Sequence, residues 1–84
     1  MYYVYILLGK NQKLYIGRSA NLKRRIKEHQ QGKVWTTKRM LPIRLIFYEA
    51  FLNKEDAKRR EKYFKSSKGK STLKLMLRGF LSQI

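Results

Sequence analysis

The apolar positions of the chain fall into short runs separated by turn and charge signals. Tyr2 to Leu8 is an unbroken aromatic and aliphatic run, which suits a strand covered on both faces. Gly9-Lys10-Asn11-Gln12 punctuates it as a turn, and Leu14-Tyr15-Ile16-Gly17 follows as a second short strand. The two read as a hairpin. Asn21 is placed to cap a helix running to about Gln30, where Gly32 stops it. Val34 to Pro42 has no period and reads as a basic loop, and Ile43 to Phe51 as a third strand. Asn53, with Asp56 three residues on, opens a second helix reaching about Lys65. Ser66 to Lys70 reads as a linker. Ser71 then caps a last helix whose Leu73, Met76, Leu77, Phe80 and Leu81 recur at helical spacing. The order β-β-α-β-α-α predicts an α/β fold, a small three-stranded, mostly antiparallel sheet flanked by helices. At 84 residues the chain has room for one domain, 1–84, and one modest core.

The polar residues that break this pattern carry the chemistry. At about 100° per residue, Leu22, Arg25, Ile26 and His29 share one stripe of the first helix, while Lys23, Arg24, Lys27 and Glu28 take the opposite side. An arginine and the only histidine therefore stand where the helix should meet the sheet. Burying a charge is costly unless it is paired, so these side chains either snorkel outward or line a polar cleft. The next helix repeats the anomaly: Ala57, Glu61 and Phe64 share a face, with Arg60 at its edge. Glu61 is then either half of an internal ion pair, for instance with Arg25, or a metal-binding carboxylate. Tyr3 and Tyr5 project from one face of the first strand. Whether Tyr5 meets Tyr15 depends on the hairpin register, which the sequence leaves open.

Charge narrows the partner. Lys and Arg number 21 against 5 acidic residues, a net charge of +16 at pH 7. Such an excess acts on partners rather than on the fold, and a polyanion is its natural counterpart. Nucleic acid, DNA or RNA, comes first. An anionic membrane surface met by the last helix is the second reading, but no run approaches the roughly 20 apolar residues of a bilayer span. With no cysteine, disulfides, zinc–thiolate sites and thiol nucleophiles are excluded. The first residues lack a basic segment before an apolar one, so the expected location is the cytoplasm.

Tyr3-Val4-Tyr5, then Tyr15-Ile16-Gly17, then Arg25, His29 and Glu61 form an ordered set that resembles the GIY-YIG nuclease domain. The likeness extends through Arg18-Ser19-Ala20-Asn21-Leu22-Lys23-Arg24-Arg25 and resumes at Arg60-Glu61-Lys62-Tyr63-Phe64. It is greatest to the stand-alone, one-domain bacterial members of a family that also includes excision-repair nuclease subunits and homing endonucleases. The resemblance implies hydrolysis of DNA phosphodiesters with one divalent metal, Mg²⁺, for which Mn²⁺ can substitute. It implies that Tyr5 activates the attacking water and that Tyr15 helps to hold it. Arg25 then contacts the scissile phosphate, His29 supports proton transfer, and Glu61 ligates the metal. The family's first Gly is Tyr3 here. No asparagine follows Asn53, so the metal-proximal asparagine of many relatives has no counterpart.

The implied chemistry is consistent with the residue types. The Arg25 guanidinium offers a planar, permanently charged fork to phosphate oxygens. Mg²⁺ needs only one or two carboxylates besides water and substrate oxygens, so Glu61 is enough, with Glu49 as a rival ligand. A phenol titrates near 10, and Arg25, nearby lysines and a metal are expected to lower Tyr5 toward neutrality. On that basis activity rises toward alkaline pH. A non-catalytic nucleic-acid-binding module of the same fold is the alternative. Lys10, Lys13, Arg18, Lys23, Arg24, Lys27, Lys33, Lys38 and Arg39 are candidate backbone contacts. Trp35 is either a stacking surface for an unpaired base or a packed loop anchor. If about four phosphates are neutralised, log affinity for duplex DNA falls with log salt at a slope of about −3.6, as a fluorescence-anisotropy titration across salt concentrations would show.

Overall fold

The computed structural model describes residues 1–84. β1 (Tyr2–Leu8), β2 (Leu14–Ser19) and β3 (Arg44–Phe51) form one antiparallel sheet in the order β2-β1-β3. The first strand in sequence is thus the central strand in space. Its hairpin to β2 closes where the Gly9 amide donates to the Lys13 carbonyl at 2.9 Å, with Gln12 in the left-handed region at φ 64°. The register sets Tyr5 opposite Gly17 on one side and Tyr48 on the other. Strand side chains alternate, so Tyr3, Tyr5 and Leu7 share one face, and Val4 and Ile6 share the other.

Both faces are covered, as the unbroken apolar run of β1 predicts. On the Tyr5 face lie α1 (Leu22–Gln30) and a 3₁₀ segment (Trp35–Met40). Leu22, Ile26, Met40 and Leu41 pack there on Tyr5, Leu7 and Ile43. The Asn21 side chain caps α1 by accepting from the Arg24 amide at 3.1 Å. Gly32, at φ 73°, turns the chain away beyond its end. On the opposite face lie α2 (Lys54–Lys65) and α3 (Ser67–Met76), followed by the short α4 (Arg78–Leu81). Ala57, Phe64 and Leu73 meet Val4, Ile6 and Ile16 in the larger apolar cluster. Asn53 caps α2, accepting from the amides of Glu55 and Asp56. Asp56 pairs with Arg59 at 3.2 Å. No helix is long and apolar enough to cross a membrane.

Three segments differ from the sequence reading. Ser66 to Lys70 is not a linker: Ser66, not Ser71, caps α3, its Oγ accepting from the Gly69 amide at 3.0 Å. Gly69 permits this tight junction, since a Cβ there would stand 1.7 Å from the Tyr63 carbonyl oxygen. The apolar stripe of the last helix is only partly core, because Leu73 is buried and Leu77 packs against it while Met76 is exposed. Val34 to Pro42 contains an ordered 3₁₀ segment, Trp35–Met40, anchored by buried Val34 and Thr37. Phe64 is the largest side chain fully buried between the sheet and α2. Phe64→Ala is expected to cost about 3–5 kcal/mol, seen as a lower urea midpoint by far-ultraviolet circular dichroism.

Candidate active site

The site begins with Tyr5, which is 1 % exposed at the centre of the sheet. A phenol at such a position must find its hydrogen-bond partner inside the protein. Gly17, its neighbour on β2, makes room: a Cβ there would stand 2.4 Å from Tyr5 Cζ and Oη. The ring therefore lies across the Gly17 backbone, with its hydroxyl above β2. There Oη meets His29 Nε2 at 2.8 Å. Of the two polar residues on the inward stripe of α1, Arg25 is part-exposed and turns to Glu28, whereas His29 is fully buried. Its other nitrogen, Nδ1, lies 2.7 Å from Thr37 Oγ1 on the 3₁₀ segment. Tyr15, two residues before Gly17, completes an aromatic cluster with ring centroids 5.2 Å from His29 and 6.5 Å from Tyr5.

Arg25, one turn before His29, is anchored to Glu28 at 3.1 Å and acts on the Tyr5 phenol as a neighbouring donor and positive charge. Its own pKa is raised, first by Glu28 and then by Tyr5. Arg25 does pull the Tyr5 pKa down, as expected, but it is not the largest influence on the phenol. Burial outweighs the arginine, and Tyr5 is pushed up to about 12, with the charges of Tyr15 and Glu61 adding to the rise. His29 is moved the other way, below 6.5, first by burial and then by Arg25, against an opposing pull from Glu28. At neutral pH the site therefore holds a protonated phenol beside an uncharged imidazole.

Glu61 lies on α2, across the sheet from His29, yet its charge is felt at Tyr5. Its Oε1 accepts from Arg18 Nε at 3.1 Å and its Oε2 lies 3.1 Å from Lys65 Nζ. The ion pair with Arg25 considered from spacing does not form. Arg18 extends to the α2 face because it stands opposite Val4 on β2. Glu49 receives a two-pronged contact from Arg60, at 2.8 and 3.1 Å, and the guanidinium carbon lies 4.2 Å from the centroid of the Phe64 ring. Glu49 is thereby committed to Arg60, as the two oxygens of Glu61 are to Arg18 and Lys65. No cluster of three or more His, Cys, Asp or Glu is present. One carboxylate does not make a zinc site, but it suits Mg²⁺, which keeps waters and shares substrate phosphate oxygens.

Candidate phosphate contacts line hollows that contain none of these site residues. Lys23 and Lys27 border a groove of about 790 Å³ that also contains Tyr3 and Tyr48, whose rings meet edge-on at 6.0 Å. Trp35, Lys38 and Arg39 line a separate hollow, and Trp35 is 77 % exposed, so it is not a packed loop anchor. Arg24 lies exposed on the outer side of α1. Thr37 was not legible as a site residue. Its only sequence signal is a hydroxyl eight positions beyond the lone histidine, in a segment without period.

Of the ordered set, Tyr5, Tyr15 and His29 thus meet in one cluster, while Glu61 stands on the other face of the sheet with Arg18 and Lys65. The family model for the GIY-YIG catalytic domain matches residues 1–74, and the chain belongs to that family of nucleases. Within it, the chain is similar to stand-alone proteins of comparable size that carry the name UPF0213. One from Clostridium perfringens is 40% identical over 77 residues, spanning 90% of this chain and 83% of the relative. One from Pediococcus acidilactici is 36% identical, spanning 89% and 80%. The solution NMR structure of a UPF0213 protein from Bacillus halodurans is 39% identical, covers 90% of this chain and 85% of its own, and superposes with a TM-score of 0.58.

The histidine gives a stability test. Because its folded pKa lies below 6.5, the folded state binds fewer protons than the unfolded state just below that value. The His29 contribution is full above about pH 6.5 and is lost as pH falls through the folded pKa. Thermal midpoints are expected to drop between about pH 7 and pH 5, and His29→Gln is expected to drop less over the same interval.

Proposed function

We propose that the protein is a metal-dependent endonuclease that hydrolyses DNA phosphodiester bonds. The observation that carries this reading is the buried Tyr5–His29 hydrogen bond at 2.8 Å, one helical turn from an arginine paired with Glu28. The contact couples the phenol to an imidazole that is uncharged at neutral pH and so can take up a proton.

Hydrolysis forms one bond, from a water oxygen to phosphorus, and breaks the bond to the leaving sugar oxygen. Tyr5 receives the proton of the attacking water and hands its own to His29, so a free phenolate is never required. This matters because the phenol is pushed up to about 12 and an unaided phenolate would be scarce at neutral pH. Arg25 binds the non-bridging oxygens as negative charge grows on them, with Glu28 holding the guanidinium in place. Tyr15 borders the same cleft and orients the water. Mg²⁺ held by Glu61 and by the substrate phosphate would supply charge neutralisation at the phosphate and at the leaving oxygen. Lys65, half-exposed at the rim, releases a Glu61 oxygen most readily. Lys23, Arg24, Lys27, Lys38 and Arg39 hold the backbone on either side, and Trp35 offers a face to an unpaired base. RNA is bound by the same contacts, none of which reads a base edge.

The test uses end-labelled single-stranded, duplex and branched DNA, with Mg²⁺ or EDTA, beside Glu61→Ala and Arg25→Ala. Cleavage is expected in Mg²⁺, to vanish in EDTA, and to fall by about 10²-fold or more in either variant while Glu61→Ala still binds DNA. Salt-sensitive binding without cleavage of any substrate in Mg²⁺ or Mn²⁺ would instead identify a non-catalytic module.

A further inference from the structure

We infer that Thr37 is a positioning residue: its buried hydroxyl selects the His29 tautomer whose Nε2 accepts the Tyr5 proton. The catalytic purpose of that choice rests on the nuclease reading; the tautomer itself rests on geometry.

Thr37 is fully buried in the 3₁₀ segment. Its Oγ1 lies 2.7 Å from His29 Nδ1 and 3.4 Å from the Val34 carbonyl oxygen, while Nε2 lies 2.8 Å from Tyr5 Oη. These four groups form a row. A neutral imidazole has one N–H and one lone pair, so the row must run in one of two directions. Its carbonyl end decides which. The Val34 carbonyl only accepts. The Thr37 hydroxyl, placed to give its one proton to that carbonyl, can only accept from His29 Nδ1. The phenolic proton therefore has Nε2 as its acceptor. Nδ1 must then carry the ring proton and donate to Thr37 Oγ1, and Thr37 donates to Val34. The reverse direction would turn the Thr37 proton toward Nδ1 and leave its contact with the Val34 carbonyl unmade. In the direction inferred, every buried polar side-chain atom has a partner, in keeping with the absence of any orphan.

The charged and titratable groups that act on His29 and Tyr5 are Arg25 and Glu28 from α1, Tyr15 from β2 and Glu61 from α2. Only Thr37 hydrogen-bonds Nδ1. With the hydroxyl removed, an Nδ1–H would point at a methyl group, and an unpaired buried donor is costly. Moving the proton to Nε2 relieves that cost. The imidazole then donates to Tyr5 and can no longer accept from it. Thr37→Val keeps the shape and loses the hydroxyl; Thr37→Ser keeps the hydroxyl.

The chain contains one histidine, so the imidazole ¹⁵N spectrum of untagged protein reports His29 alone. We would record long-range ¹⁵N–¹H correlations above pH 7 for wild type, Thr37→Val and Thr37→Ser, with single-turnover cleavage rates in Mg²⁺. Wild type and Thr37→Ser are expected to carry the proton on Nδ1, and Thr37→Val to move it wholly or partly to Nε2. The rate is expected to fall by about 10²-fold in Thr37→Val and to be restored in Thr37→Ser. An Nε2–H tautomer in wild type overturns the inference, whether or not Thr37→Val folds. So does Thr37→Val with Nδ1 still protonated, or with a changed tautomer and an undiminished rate. The predicted tautomers in a protein that cleaves nothing would uphold the assignment to Thr37 and remove the nuclease reading instead.

Discussion

A strand covered on both faces has no wet side on which to place a polar group, and β1 nevertheless carries Tyr5. The rest of the site follows from satisfying that one hydroxyl. Gly17 must lack a side chain so that the ring can lie across it. The apolar stripe of α1 must contain a histidine one turn beyond an arginine. The 3₁₀ segment must fold back so that a threonine reaches the far side of the imidazole. Low dielectric makes each of these contacts stronger than it would be in water, and makes the loss of any one of them more costly.

Electrostatics is divided between the faces of the sheet. All five acidic residues are engaged in salt bridges, with Arg18 and Lys65 on Glu61, and Arg25, Lys58, Arg59 and Arg60 on the other four. The remaining lysines and arginines, most of the total, have no acid to face. Their field is not cancelled internally, and it extends outward to draw a polyanion toward the molecule. The pairs that matter for chemistry are the partly buried ones, because exposed helical pairs such as Lys58–Glu55 contribute little.

Much of the fold was legible because its signals are local. The run from Tyr2 to Leu8, the caps Asn21 and Asn53, and the stop at Gly32 each act within a few residues, and each stands where the pattern places it. The start of α3 was misread because two serines compete as caps, and only the approach of Gly69 to Tyr63 decides between them. Within the site, helical spacing put Arg25 and His29 on the inward face of α1. It could not choose the partner of Glu61, since Arg18 is 43 positions away and reaches it through the sheet register. The direction of the Tyr5 shift was equally hidden. It depends on whether burial or the nearby arginine dominates, and that balance is a property of packing rather than of sequence.

The exposure of Trp35 has a practical consequence for anyone studying this chain. Its one indole already faces solvent in the folded state, so unfolding changes the surroundings of the fluorophore little. Emission spectroscopy, the usual window on the folding of a small domain, is therefore nearly blind to collapse here. The same indole sits beside Lys38 and Arg39, which makes it an optical reporter of whatever settles on that basic turn.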